Sequence, residues 1–452
     1  MQLQFLGATG TVTGSKYLLR HEGASLMIDC GLFQGWKQLR LRNWAPLPLD
    51  PREIGAVILT HAHIDHSGYL PLLVRQGFRG KVFCTQATRE LCAIMLPDSG
   101  RLQEEEAAYT NRHGFSKHAP AEPLYTEADA LRALELFQAV EPDKTWHPVP
   151  GMSASLAPSG HMVGAALVRV EGGGRSILFT GDLGRPCDPV LRPPRAMAGA
   201  DYLVTESTYG DRIHEPVDVL AQLAQVVKRT AARGGALLIP AFAVGRAQTL
   251  MHCIAELKRT GAIPDLPVYL NSPMAADATE VYWRHRAEHR LTQAQCAAMC
   301  HAAKIVHSVE ESVALNTRRG PMIIIAASGM ATGGRVVHHL KAFAPDWRTT
   351  ILFTSFQAGG TRGAAMLGGA RTIRIHGEDV PVRAEVAVLG NLSGHADADE
   401  ILAWLHGFEQ APRMSFITHG EPPAADALRQ RIERELRWPC RVPDYLETVE
   451  LS

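Results

Sequence analysis

Short apolar runs separated by glycine-rich turns fill the first part of the chain. They read as β-strands over residues 3–6, 16–19, 25–29, 56–59, 81–84, 165–170, 177–180 and 202–205. Between them, apolar positions recur at helical spacing over 67–75, 87–111 and 128–140. The charged stretch 101–106 reads as a solvated helix face. Four polar residues, Asp29, His61, Asp182 and Glu206, stand at the C-terminal ends of predicted strands. Active sites of α/β folds are built at those ends.

From residue 208 the rhythm changes to regular strand-then-helix units. Strands over 236–239, 268–270, 322–326 and 351–354 are each followed by a helical pattern, beginning near Gly245, Ala275, Gly334 and Thr361. Such alternation implies a parallel sheet. Residues 208–370 are therefore expected to form a second α/β domain inserted into the first, which begins with residues 1–207. The remainder, 371–452, carries strands over 372–376, 384–389 and 415–418 and helices over 396–408 and 425–437. It is expected to complete the first domain.

A chain of 452 residues is too long for one compact domain and suits two or three. Its 46% apolar and 20% charged residues allow a large core. No apolar run approaches the ~18–20 residues of a membrane helix. The start, Met1-Gln2-Leu3-Gln4-Phe5-Leu6-Gly7, lacks the basic and cleavable apolar parts of a signal peptide, so the chain reads as cytoplasmic, with no membrane among its partners. Eight scattered cysteines, none in a CxxC pair, read as reduced thiols, so any metal site must rest on histidine and aspartate. The formal net charge is zero, so a nucleic-acid substrate requires a local basic groove.

Chemistry enters with His61-Ala62-His63-Ile64-Asp65-His66, directly after the strand at 56–59. In extended backbone, residues two apart point the same way, so His61 and His63 can grip one metal ion together. A turn then brings Asp65 and His66 to a helix start, facing a second position. A single histidine in a loop is ordinarily a solvated side chain; four ligand-type residues within six positions are not. Imidazole with carboxylate suits zinc ahead of iron or manganese. His161, in Ser159-Gly160-His161-Met162, supplies a third nitrogen for the first metal. Asp182, in Gly181-Asp182-Leu183-Gly184, has two oxygens and can bridge two cations. Asp29 fits a supporting role, accepting a hydrogen bond from a ligand histidine or from metal-bound water.

Together, Asp29, the HxHxDH run, His161 and Asp182 resemble the metallo-β-lactamase superfamily in type and order. The resemblance implies an αββα sandwich with a dinuclear site at the edge of its two sheets. Glu206 in Thr205-Glu206-Ser207-Thr208, His395 in Ser393-Gly394-His395-Ala396-Asp397 and His419 in Thr418-His419-Gly420-Glu421 narrow it to the β-CASP branch, whose members cleave nucleic acids. That branch carries an inserted α/β domain between the first two of these motifs. The segments Ile239-Pro240-Ala241-Phe242-Ala243-Val244-Gly245-Arg246, Asn271-Ser272-Pro273-Met274-Ala275 and Ala327-Ser328-Gly329-Met330 also resemble it, so the likeness spans nearly the whole chain. RNA-processing members, among them the endonuclease of eukaryotic messenger 3′-end formation, carry histidine at the third motif, where DNA-repair members tend to carry valine. His419 therefore implies RNA as the substrate, and single-stranded RNA is the expected partner.

Carried over by resemblance, one metal takes His61, His63 and His161, the other takes Asp65, His66 and His419, and Asp182 bridges. Two zinc ions per chain are expected, with manganese as the alternative. A hydroxide shared by the two metals would attack phosphorus in line. His395 is expected as general acid for the leaving 3′-oxygen, with Glu206 holding it protonated. Cleavage would leave 5′-phosphate and 3′-hydroxyl ends and be endonucleolytic rather than exonucleolytic. Ser393 and Gly394, ahead of a helix, are candidate phosphate contacts, as are Ser328, Gly329 and Arg246. A small-molecule metallo-hydrolase of the same sandwich leaves the inserted domain, Glu206, His395 and His419 unexplained. A non-catalytic RNA-processing subunit leaves the intact ligand set unexplained. Nothing in the sequence identifies a protein partner.

Overall fold

The computed structural model describes residues 1–114, 118–215 and 217–452. They form two compact units, one of residues 1–187, 193–213 and 395–452, the other of residues 188–192 and 214–394.

The first unit is built on two seven-stranded sheets. One runs in the order Thr448–Glu450, Gln2–Phe5, Tyr17–His21, Ala24–Ile28, Ala56–Ile58, Lys81–Cys84, Phe137–Ala139. The other runs Cys440–Arg441, Met414–Ile417, Tyr202–Thr205, Arg175–Phe179, Ala166–Gly172, Met152–Pro158, Thr145–Val149. The two-residue period of a strand sorts the side chains. Leu3, Phe5, Leu26, Ile28 and Ile58 of one sheet meet Leu156, Val168, Ile177, Phe179, Val204 and Phe416 of the other in a shared core. One residue out of phase, Leu167, Leu178, Leu203 and Ile417 turn the other way, onto Ile401, Leu402, Leu405 and Leu428 of the helices Ala398–Leu405 and Pro422–Arg431. On the first sheet's side, the helices Leu70–Arg75, Gln86–His113 and Glu127–Leu134 pack on one another. This is the expected αββα sandwich. The C-terminal segment joins both sheets, Met414–Ile417 parallel to Tyr202–Thr205 and Thr448–Glu450 antiparallel to Gln2–Phe5.

The second unit carries an all-parallel six-stranded sheet, ordered Lys304–Ile305, Val268–Asn271, Met322–Ala326, Ala236–Pro240, Thr350–Phe353, Glu385–Val388. The hairpin of Thr372–Ile375 and Glu378–Pro381 packs Ile373, Ile375 and Val380 into the same core as Val336, Leu340 and Phe353. The chain therefore leaves this unit at Gly394 and not at residue 370. An apolar run shows that a strand exists, whereas the neighbour it pairs with is set by topology.

Seven strands lie outside the expected set: Phe137–Ala139, Thr145–Val149, Met152–Pro158, Lys304–Ile305, Glu378–Pro381, Cys440–Arg441 and Thr448–Glu450. The helix expected over 128–140 stops at Leu134, and the helix expected from 396 begins at Ala398. The eight cysteines are free thiols. Among the described residues no helix is long and apolar enough to cross a membrane.

Candidate metal centre

Five strands, parallel to one another within each sheet, deliver most of the functional side chains. The parallel pair Ala24–Ile28 and Ala56–Ile58 leads to Asp29 and to the His61–His66 run. Next to one another in the second sheet, Arg175–Phe179, Tyr202–Thr205 and Met414–Ile417 are also parallel and lead to Asp182, Glu206 and His419. Asp29 and His419 both adopt left-handed backbone, with φ of +56° and +48°. That conformation costs a non-glycine residue about 1–2 kcal/mol and is kept only where the surroundings enforce it. Here the Asp29 N–H is held by the Ile58 carbonyl at 2.9 Å and the His419 N–H by the Ala8 carbonyl at 2.7 Å. Gly181 also has a positive φ, and a Cβ on it would stand 2.6 Å from Cβ of Thr60, so only glycine lets Asp182 approach.

The donor atoms converge in two groups. His61, His63, His161 and Asp182 place one ligand atom each within 4.8 Å of one another, and so do Asp65, His66 and His419. Within the first group His61 Nε2 is 3.1 Å from His63 Nδ1, and His161 Nε2 is 3.2 Å from the same atom. Asp182 Oδ2 lies 3.4 Å from both His61 Nε2 and His161 Nε2. In the second group His66 Nε2 and His419 Nε2 are 3.2 Å apart, and Asp182 Oδ1 is 3.2 Å from His66 Nε2. Ligands about 2.0–2.1 Å from a tetrahedral zinc ion stand about 3.3 Å from one another. The first group matches this spacing, and in the second Asp65 Oδ2 stands farther off, 3.5 Å from His419 Nε2 and 3.9 Å from His66 Nε2. The two oxygens of Asp182 thus face different groups. Its buried Oδ1, 3.2 Å from the His66 ring, makes no hydrogen bond, which leaves its lone pairs open to a cation.

Protonation fits the same reading at His61 and His161. Burial, reinforced by His66, pushes His61 down to about 3. Burial with His395 holds His161 well below its ordinary range. Both rings are neutral and carry lone pairs. Burial opposes charge on His66, but Asp182 and Asp29 outweigh it and hold that ring above its usual range. Burial likewise opposes ionisation of Asp182, and His419 and His66 overcome it. The centre thus combines an ionised carboxylate with neutral imidazoles, a donor set that suits a cation.

Asp29 does not point at the group centres. Its Oδ2 accepts from His66 Nδ1 at 2.7 Å and its Oδ1 from the Thr60 N–H at 2.7 Å, so it orients His66. Buried Glu206 lies 3.0 Å from His395 Nδ1 and accepts the Leu183 N–H at 2.6 Å. Burial opposes charge on His395, but Glu206 and then Asp182 raise it to about 9, so the ring is a cation at neutral pH. Its side chain keeps 17% exposure where Glu206 has none.

The five expected phosphate contacts belong to the second unit. Arg246 is buried, donates to the Leu392 carbonyl and lies 3.4 Å from Asp188, so it holds the chain ahead of Ser393. Ser393 and Gly394 do not form a helix N-terminus. The helix begins at Ala398, where Asp397 and Glu400 make a reciprocal cap, and the Ser393 N–H already bonds the Gly390 carbonyl. Gly329 packs against Phe242, and the Ser328 hydroxyl lies 3.1 Å from that of Thr332. Sequence reasoning missed Thr60 and Thr208, whose hydroxyls stand between carboxylates and histidines. Their only local signal is adjacency, Thr60 to His61 and Thr208 two residues past Glu206.

Comparison with known proteins places these features together. Residues 9–224 match the metallo-beta-lactamase superfamily model, 247–366 the Beta-Casp domain, and 379–443 the Zn-dependent metallo-hydrolase RNA specificity domain. A Thermus thermophilus protein named Ribonuclease TTHA0252 is 37% identical over 93% of this chain and 93% of its own. The chain belongs to the β-CASP branch of the metallo-β-lactamase superfamily. Within that branch, Transcription termination factor FttA of Methanosarcina mazei is 30% identical over 99% of this chain and 71% of its own. The FttA of a Lokiarchaeum is 28% identical over 100% and 72%. A solved structure from Enterococcus faecalis, of a protein of unknown function, is 15% identical with a TM-score of 0.51 over 99% of both chains. That likeness concerns the fold alone.

Proposed function

We propose that this β-CASP protein is a metal-dependent ribonuclease that cuts single-stranded RNA internally at a centre for two zinc ions. The observation that carries the reading is Asp182, whose two oxygens face two separate donor groups. The match to an RNA specificity domain and a relative named ribonuclease support RNA as substrate. His61, His63 and His161 with Oδ2 of Asp182 would hold one cation, and Asp65, His66 and His419 with Oδ1 the other. When bound, such cations acidify water and offset charge on the phosphoryl oxygens. The remaining work falls to the chain. Glu206 fixes His395 through Nδ1, which leaves Nε2–H to protonate the departing 3′-oxygen. Products would carry 5′-phosphate and 3′-hydroxyl ends, and the ribose 2′-hydroxyl takes no part. Mapping the products of an end-labelled RNA tests this. Internal fragments with those ends are expected, whereas 2′,3′-cyclic phosphate ends would contradict it.

The neutral net charge demands local cations, and the segment after Asp29 supplies them. Trp36, 59% exposed, and Trp44, 56% exposed, flank the short helix Lys37–Arg42. Among the described residues Lys37 and Arg40 have no ion-pair partner. Backbone bonds from Cys30 to the His66 carbonyl and from Leu32 to the Ile64 carbonyl tie this segment to the histidine run. Exposed aromatics beside cations are a stacking platform for single strands, worth about 1–3 kcal/mol per base. Trp36→Ala is therefore expected to raise KM for single-stranded RNA at least about fivefold with little change in kcat. Hydrolysis of bis(p-nitrophenyl) phosphate, too small to reach the platform, should be unaffected. An unchanged KM for RNA would remove the platform from the account.

A further inference from the structure

Two buried carboxylates each govern two histidines, one directly and one through a threonine. Asp29 takes His66 Nδ1 directly at 2.7 Å and the Thr60 hydroxyl at 2.8 Å, and Thr60 Oγ1 in turn lies 3.0 Å from His61 Nδ1. Glu206 takes His395 Nδ1 directly at 3.0 Å and the Thr208 hydroxyl at 2.5 Å, and Thr208 Oγ1 lies 3.1 Å from His419 Nδ1. Each carboxylate also accepts a backbone N–H, from Thr60 for Asp29 and from Leu183 for Glu206. All four carboxylate and threonine residues are buried, so no solvent competes for these bonds.

A hydroxyl has one proton to donate. Both threonines direct it at a carboxylate, which leaves Oγ1 only as an acceptor. His61 and His419 must then donate from Nδ1, and their Nε2 atoms must carry lone pairs. Those Nε2 atoms point into opposite donor groups, toward Asp182 Oδ2 from His61 and toward His66 Nε2 from His419. We infer that Thr60 and Thr208 are positioning residues, each setting the tautomer and aim of one histidine in one of the two cation sites. Glu206 consequently couples the proton donor His395 to the second site through Thr208. The inference rests on the two-cation reading above.

Valine keeps the shape of threonine and removes the hydroxyl; serine keeps the hydroxyl. Zinc binding to the metal-free full-length protein, measured by chelator competition, separates the possibilities. Loss of such a supporting partner typically weakens metal affinity about 10–100-fold. Thr60→Val and Thr208→Val should each weaken one of two zinc sites by that factor and leave the other near wild type. The double variant should weaken both, and Thr60→Ser and Thr208→Ser should bind as wild type does. Two unweakened sites in both valine variants would overturn the relay alone. Serine variants as weak as the valine ones would also overturn it, by showing that packing is what matters. A wild-type protein that takes up fewer than two zinc ions would overturn the two-cation reading and the relay with it.

Discussion

Alanine in place of His395 is expected to slow RNA cleavage by about 10²–10⁴-fold, the usual worth of a general acid, while zinc content stays unchanged. The imidazole is bonded through Nδ1 to Glu206 at 3.0 Å and belongs to neither group of donor atoms. It is the partly exposed member of that pair, so its outer nitrogen is the one able to meet a substrate. The effect should depend on the leaving group. A p-nitrophenyl phosphodiester departs without protonation, so His395→Ala should hydrolyse it nearly as fast as wild type. Steady-state kinetics on both substrates, with elemental analysis of the same samples, checks the assignment. Loss of zinc from a folded His395→Ala protein would make this residue a ligand instead.

Asp182→Asn is expected to strip both cations and to lower RNA cleavage by about 10³-fold or more, since metal-assisted charge stabilisation is worth several kcal/mol. The change preserves shape and removes one charge. Asp182 touches both groups, with Oδ2 at 3.4 Å from His61 and His161 and Oδ1 at 3.2 Å from His66. A one-group change such as His63→Ala should lose only one cation. Elemental analysis distinguishes the two patterns. Two retained zinc ions in Asp182→Asn would show that the carboxylate is not shared.

Most of the centre was legible because its chemistry is concentrated. Ligand-type residues crowd into six positions at His61–His66, and Asp182, Glu206 and His419 follow apolar runs that can hardly be anything but strands. What escaped depends on distant partners. Arg246 reads as a phosphate contact from its place before a helix, and its bond to the Leu392 carbonyl, 146 positions away, is invisible there. Thr208 acquires its role only when His419, 211 positions away, arrives beside it. Three of the missed strands have local causes. Met152–Pro158 is written largely in serine and alanine, which carry little strand preference. Thr145–Val149 is an edge strand with three exposed or half-exposed positions before Pro148. Phe137 and Val140 continue the helical phase of the preceding helix, yet Phe137–Ala139 pairs with Lys81–Cys84.

The central claim is that this chain cleaves RNA through cations held by these residues. Its most direct test is cleavage of a labelled single-stranded RNA by the chelator-stripped protein, titrated back with zinc or manganese. The account predicts no cleavage when stripped and activity that rises to a plateau at two equivalents per chain. Full cleavage by the stripped protein, or none by the protein loaded with two equivalents, would contradict it.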